Sequence, residues 1–450
     1  MAHAAGATRA ARPDHAEVGA GQLDSLVLCV GLILLILVGA PIGLAMILLP
    51  TIYILATGEA PLLTVPHQMF EAVAKYPLVA IPFFILTGEL MNSSVVTRRI
   101  LELSRAIVGR LRGGLAQVNV VSSMFFAGMN GSAVADTATV GTVLIPAMKG
   151  SGYSPEFSAA LTAVASTIGG IIPPSIAMII LASAANLSVG ALFAGGILPG
   201  VLIGLMMIAV TYWIAVRRSY ERSDEPFSLA RLGGALWRAS GALVIPVVLL
   251  GGILGGWFSS VEAGAITAAA AVLVGGVLYG SLTFADVVGA FVRSVKLSAS
   301  VFIVLAASGP FSWLLAKFGT IAILEHWLMG FVANPVLFVV VLVGLILLIG
   351  TFLDAPANII IFGPMLVAVS ATAGFPPVQA ALVVVVGFLL GMVTPPVGAC
   401  YFLASFIAEA KLERVAVEMV PYMLVEVVVL FLMFAVPALT LGLPRALGLG

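Results

Sequence analysis

The chain has 450 residues, of which 61% are hydrophobic and 9% charged, with 20 Lys and Arg against 20 Asp and Glu. That composition cannot clothe a soluble domain, so lipid must be the solvent for most of the surface. Long apolar runs without strand-like alternation exclude a transmembrane β-barrel, and a neutral charge balance gives no reason to expect nucleic acid.

Residues 1–25 are polar, carry Arg9, Arg12, Asp14 and Glu17, and are expected to form a disordered head. The apolar run from Leu26 to Leu55 is too long for a cleaved signal peptide and predicts an uncleaved membrane segment. From Leu26 to Leu441 the charge-poor sequence has room for about ten to thirteen bilayer-spanning segments of roughly 20 residues each. Arg98, Arg99, Arg105, Arg110 and Arg112 form one basic cluster and Arg217 to Arg238 another, and both belong in the cytoplasm by the positive-inside rule. Glu89 and Glu262 sit at segment ends, where an interfacial role is expected, and Trp213, Trp237, Trp257 and Trp327 suit an interfacial belt. The two cysteines, Cys29 and Cys400, lie in apolar runs and provide neither a disulfide framework nor a thiolate metal site. The four histidines are scattered, so no histidine metal site is expected either.

The chain repeats itself. Pro155 to Pro199 lies on Pro377 to Pro421 without a gap at an offset of 222, pairing Val164, Gly169, Pro173, Pro174 and Ser183 with Val386, Gly391, Pro395, Pro396 and Ser405. Upstream, matching Asp136 and Pro146 to Asp354 and Pro364 sets the offset at 218. Each unit reads as an apolar arm, a polar tip, a second arm, and a helix broken at Pro-Pro, which removes two N–H donors and clashes with the preceding turn. The first unit has arms at Leu115 to Met129 and Thr137 to Met148, a tip at Asn130-Gly-Ser-Ala-Val-Ala-Asp136, and a broken helix at Glu156 to Asn186. The second has arms at Val336 to Ile349 and Ile359 to Ala373, a tip at Asp354 to Asn358, and a broken helix at Val378 to Ala408.

Three crossings after Arg238, near Ala239 to Trp257, Ala263 to Leu282 and Leu297 to Leu315, start the second hairpin on the outer side, so the units are inverted. The expected fold is an all-α polytopic membrane protein with inverted-topology repeats, each a re-entrant helical hairpin plus a broken transmembrane helix. Its expected parts are the head 1–25, scaffold helices with a cytoplasmic connecting helix 26–114, a first unit 115–216, a cytoplasmic loop and scaffold helices 217–335, and a second unit 336–450.

Irregular backbone at membrane depth survives only where it lines a cavity or packs on protein, because an unsatisfied polar group in lipid costs several kcal/mol. Two tips and two breaks meeting near the midplane would offer carbonyls to a cation and helix N-termini to an anion. The candidate substrate and ion site is therefore Asn130, Gly131, Ser132, Asp136, Ser166, Thr167, Pro173 and Pro174 with Asp354, Asn358, Thr394, Pro395 and Pro396. Asp136 and Asp354 are expected to be buried acids, although either could instead cap a helix. Neutral oxygens near Asn130, Ser132, Thr167 and Thr394 suit Na⁺.

Gly88-Glu-Leu-Met-Asn92, Leu111-Arg-Gly-Gly-Leu115, Phe126-Ala-Gly with the Asn130 to Asp136 tip, Ile171-Ile-Pro-Pro-Ser175, Ala191-Leu-Phe with Gly196-Ile-Leu-Pro-Gly200, and Thr394-Pro-Pro-Val-Gly398 resemble the large membrane subunit of TRAP transporters, the tripartite ATP-independent periplasmic transporters. The resemblance runs from about Leu26 to Pro444, departing at the apolar Gly387-Phe-Leu-Leu-Gly-Met-Val393, where the family carries a polar stretch. It implies an elevator-type secondary transporter of the bacterial inner membrane, with no cofactor and Na⁺ as coupling ion. It also implies symport of a small organic anion, a separate four-helix membrane subunit, and a periplasmic substrate-binding protein. The rival readings are a self-sufficient Na⁺/anion symporter of similar fold and, remotely, an intramembrane aspartyl protease using Asp136 and Asp354. Gly350-Thr-Phe-Leu before Asp354 lacks the Gly-x-Gly-Asp signature of that chemistry.

Overall fold

A computed structural model describes residues 15–220 and 228–449, and those residues are helical with no strand. In chain order the helices are α1 His15–Leu37, α2 Ile42–Thr57, α3 Thr64–Val73, α4 Ala80–Asn92, α5 Val96–Val108, α6 Gly114–Asn130, α7 Ala133–Gly150, α8 Pro155–Ala165, α9 Ile176–Ala185 and α10 Val189–Arg217. They continue with α11 Leu229–Leu254, α12 Ser260–Val272, α13 Phe284–Lys317, α14 Thr320–Met329, α15 Pro335–Gly350, α16 Ala355–Thr372, α17 Pro377–Gly391, α18 Ala399–Ala408, α19 Leu412–Ala435 and α20 Ala438–Ala446.

The first helix starts at His15, well before Leu26. Pro13 is the last proline before Pro41, so nothing stops the chain from winding up ahead of the apolar run. Of the expected disordered head, residues 1–14 lie outside the described residues.

Among the described residues, six helices are long and apolar enough to cross a bilayer, and α3 with α4, bent by 67°, makes a seventh span. One of the six is α16, an arm of the second hairpin, and the apolar runs outnumber these spans because α2, α15 and the broken halves α9, α17 and α18 are shorter apolar helices. Between the spans lies α5, which buries Val96, Ile100, Leu103 and Val108 along one stripe and turns Arg98 and Glu102 outward in a 3.1 Å ion pair. Glu102 also faces Arg238 of α11 at 3.8 Å, so the two basic clusters share one side of the molecule, as the positive-inside reading requires.

The repeat is present as two copies of one helix series, α6 to α9 and α15 to α18. The helix α16 begins and ends 222 residues after α7, and α17 begins 222 residues after α8. The register of 218 for the hairpins is therefore corrected to 222, which pairs Ser132 with Asp354 and Asp136 with Asn358. The sequence match paired aspartates by identity. The fold pairs them by place, because Ser and Asp both serve as N-caps: Ser132 Oγ accepts from Ala135 N at 3.4 Å and Asp354 Oδ1 from Ala355 N at 3.0 Å.

The two units are antiparallel. The second arm of each hairpin packs on the half of the other unit's broken helix that follows the break, α7 on α18 and α16 on α9. The contacts are reciprocal, since a Cβ on Gly141 would meet Ile407 at 3.3 Å and a Cβ on Gly363 would meet Leu181 at 2.6 Å. Lys149, at the base of the first hairpin, donates to the carbonyl of Ala408, at the far end of the second broken helix, at 2.8 Å. Base beside far end is what inversion means.

Candidate functional site

Each tip is folded against the break of its own unit. In the first, α6 ends at Asn130, Gly131 takes a left-handed φ of 62°, and Ser132 starts α7. Ile176 N donates to the Gly131 carbonyl at 3.2 Å, and a Cβ on Gly131 would sit 2.7 Å from the Pro174 carbonyl oxygen. Only glycine fits a positive φ that close to another backbone. Gly169 is similarly close to Asp136, 3.2 Å from a Cβ there to the Asp136 Cβ. Asn130, Gly131, Ser132 and Asp136 thus converge with Ser166, Thr167, Pro173 and Pro174. In the second unit a Cβ on Gly391 would lie 2.6 Å from the Gly350 backbone, so two glycines let α15 and α17 touch where tip and break meet. Both Pro-Pro bonds, Pro173-Pro174 and Pro395-Pro396, are cis.

The two halves differ in access. Residues 166–171 and 173–175 of the first break are buried, whereas Pro396 and Val397 of the second are exposed. Asp354 is exposed too. This corrects the expectation of two buried acids: Asp136 is fully buried, and Asp354 is an accessible helix cap. The buried counterpart of Asp136 is Asn358, whose Nδ2 donates to the Leu353 carbonyl at 2.8 Å while its Oδ1 is without a partner.

Hydroxyls line both breaks but are mostly spoken for by helix carbonyls. Ser166 Oγ donates to Thr162 O and Thr394 Oγ1 to Leu390 O, each at 2.8 Å. The Thr167 hydroxyl lies 2.6 Å from the Val164 carbonyl oxygen and also contacts Glu426 Oε1. Glu426 is a fully buried acid on α19 that the repeat analysis missed. Its signal was present in the sequence as the single charge in the apolar run Tyr422 to Phe434, since an intramembrane acid is a candidate site by default.

Oε2 of Glu426 and the hydroxyl of Ser122 are buried without a hydrogen-bond partner, and the buried Asp136 carboxylate has the Ser123 and Ser166 hydroxyls beside it. The thiol of Cys400, in the first turn of α18, is fully buried. Among the described residues no three His, Cys, Asp or Glu side chains converge as metal ligands, so a cation held here would also need hydroxyl and carbonyl oxygens.

The family model described as "Tripartite ATP-independent periplasmic transporter, DctM component" matches residues 29–439. The chain belongs to this family. It is 34% identical over 406 residues to the isethionate TRAP transporter permease protein DctMQ of Oleidesulfovibrio alaskensis, covering 90% of this chain and 64% of that relative's length. It is 30% identical over 411 residues to the sialic acid TRAP transporter large permease protein SiaM of Vibrio cholerae, covering 91% of this chain and 96% of SiaM. With the C4-dicarboxylate TRAP transporter large permease protein DctM of Pseudomonas aeruginosa it shares 33% over 385 residues, covering 85% of this chain and 89% of that one. Among solved structures, the YdaH transporter of Alcanivorax borkumensis has the same fold, with a TM-score of 0.60 at 17% identity, covering 83% of this chain and 87% of YdaH. The chain is a multi-pass membrane transporter subunit of the large TRAP permease type, and its relatives are named as permeases rather than enzymes, which removes the protease reading.

Proposed function

We propose that the chain is the large subunit of a bacterial inner-membrane TRAP system that imports a small organic anion by Na⁺ symport. The single observation that carries this is the pair of inverted hairpins, each tip seated on its own break, with one break buried and the other accessible. One central site that can be closed from either side is the minimum for alternating access. Family membership supports two further partners, a separate small four-helix membrane subunit and a periplasmic protein that delivers the substrate. The relatives named for isethionate, sialic acid and C4-dicarboxylates support an organic acid as substrate.

In this reading the tips and breaks hold substrate and coupling ion. Asn130, Ser132, Thr167 and Thr394 contribute oxygens toward Na⁺. Asp136, Gly131, Ser166, Pro173 and Pro174 shape the first half of the site, and Asp354, Asn358, Pro395 and Pro396 shape the second. The hairpins and broken helices slide as one body against α4, α5 and α10 to α13, the elevator motion. Uptake into proteoliposomes should need an inward Na⁺ gradient, the small subunit and the binding protein, and should need no ATP. Uptake that persists without Na⁺ and collapses with a proton uncoupler would overturn the coupling ion. Full uptake by this chain alone would favour the self-sufficient symporter instead.

A further inference from the structure

The two broken helices end alike but are capped from different places. After its break each runs to a residue in the left-handed conformation, Asn186 after α9 and Glu409 after α18, both at a φ of 54°. The last carbonyls of a helix lack partners of their own, and an ammonium placed there satisfies one of them and opposes the negative end of the dipole. At α18 that ammonium is Lys149, from α7 of the same moving body. At α9 it is Lys75, whose Nζ donates to the Ser183 carbonyl at 3.1 Å. Asn186 N and Leu187 N both donate to the Ala182 carbonyl, which leaves that of Ser183 to the lysine.

Lys75 belongs to the other body. It stands in the bend between α3 and α4, and those helices pack on α13 and α12. Because α4 leads into the basic helix α5 on the cytoplasmic side, the bend lies toward the outer face. The boundary between the bodies is loosely packed there. A cavity of about 420 Å³ opens beside the contact, between Leu305 and Ser308 of α13 and Ile361 and Met365 of α16, with Lys75 and Ser183 both on its wall. Glu71, four residues before Lys75, lines the same cavity, is exposed, and forms no ion pair among the described residues.

We propose that Lys75 is a positioning residue for transport, a latch that holds the moving body in the place seen here. Its bond crosses from the fixed helices to α9, so sliding must break it, whereas the Lys149 bond travels intact. Once α9 has moved, Glu71 is the nearest carboxylate in the chain, and the ammonium passes to it from the Ser183 carbonyl rather than staying unpaired. The cavity gives the two side chains room for that exchange. This rests on the elevator motion proposed above and adds to it a contact that sets the balance between the end positions.

The test is the distance between two spin labels, one on each body, in the purified full chain lacking Cys29 and Cys400. Gly150→Cys at the end of α7 and Gly233→Cys on α11 are suitable, being exposed with open space at their Cβ positions. Pulsed electron–electron double resonance should resolve two distances when Lys75 is present, one of them matching this structure. Lys75→Met should shift the ratio of the two by roughly fivefold away from this structure's distance, and Lys75→Arg should restore part of it. Glu71→Gln should shift the ratio the opposite way, which a lysine that only firms up a helix end has no means of producing. Lys149→Met, which removes the equivalent cap inside the moving body, should leave the ratio unchanged. If Lys75→Met and Lys149→Met move the ratio alike, or neither moves it, the latch is wrong while sliding stands. If the labels give a single distance in every variant, with and without NaCl, the bodies do not slide, and the latch falls with the elevator reading. Should Lys75→Met fail to fold, Glu71→Gln decides alone.

Discussion

Lys149 Nζ donates to the carbonyl oxygen of Ala408 at 2.8 Å and lies 3.7 Å from the Glu409 carboxylate, so the base of the first hairpin caps the end of the second unit's broken helix. An ammonium at a helix C-terminus satisfies an orphan carbonyl and opposes the negative end of the helix dipole. The strut exists on one side only. At the repeat-related positions stand Ala371 and Asn186, which have no charge to offer. It joins the two units directly, as expected if they move together.

Replacing Lys149 with Met should therefore loosen the pair of units rather than either one. The Lys149 side chain is 32% exposed, so the loss should be about 0.3–1 kcal/mol. Thermal unfolding of the purified chain should shift down by a few degrees at most, and Lys149→Arg should recover part of it. A shift no different from that of an exposed surface lysine such as Lys296 would show that the contact does not hold the units together.

Cysteine pairs test the moving-body reading. A Cβ on Gly128 of α6 would lie 3.2 Å from the Cβ of Pro246 on α11, near the separation of a disulfide's Cβ atoms. In a background lacking Cys29 and Cys400, Gly128→Cys with Pro246→Cys should form a disulfide and stop uptake, with dithiothreitol restoring it. Lys149→Cys with Glu409→Cys, bridged by a short bifunctional thiol reagent, should leave uptake intact because both ends travel together. Transport that continues through the Gly128 and Pro246 crosslink would end the rigid-body account.

The two aspartates should separate in mutagenesis. Asp136→Asn changes a fully buried carboxylate beside the Ser123 and Ser166 hydroxyls, and uptake should fall by about tenfold, as expected for an interaction worth roughly 1.4 kcal/mol. Asp354→Asn keeps an N-cap of similar strength and should leave stability unchanged, whereas Asp354→Ala should cost about 1 kcal/mol. Membrane insertion of all three should match wild type by fractionation. Equal uptake by Asp136→Asn and wild type would assign Asp136 a structural role.

Much of this architecture was legible in the sequence because it rests on residues with strong backbone preferences. Pro-Pro pairs at 173–174 and 395–396 had to break helices, so both breaks fall where the sequence puts them, whereas the tips are shorter than expected because Ala133 to Asp136 wind into α7 and Ala355 to Asn358 into α16. The register of the hairpins was not legible, because Asp354 and Ser132 do the same capping task with different side chains. Glu426 stood out locally as a lone acid in an apolar run, but no local pattern announces its contact with Thr167, 259 residues away in the chain. The early start of α1 shows the opposite limit, since polar residues end an apolar run without ending a helix.

Gly131 offers the sharpest test of tip against break. Its φ of 62° disfavours any Cβ by about 1–2 kcal/mol, and the Pro174 carbonyl 2.7 Å from that Cβ leaves nowhere for a methyl group to go. The colliding atom is backbone, held by a break that is itself buried, so relief must come from the tip lifting off the break. Lifting also costs the Ile176 N–H to Gly131 carbonyl hydrogen bond, 3.2 Å long, and leaves an amide unpaired at membrane depth. Gly131→Ala should therefore insert and assemble normally yet transport at a small fraction of the wild-type rate. Gly152→Ala, which also has a positive φ but open space around its Cβ position, pays only the conformational strain and should transport normally. If the two variants lose uptake equally, the tip's contact with its break is not what matters, and backbone strain alone explains the glycine.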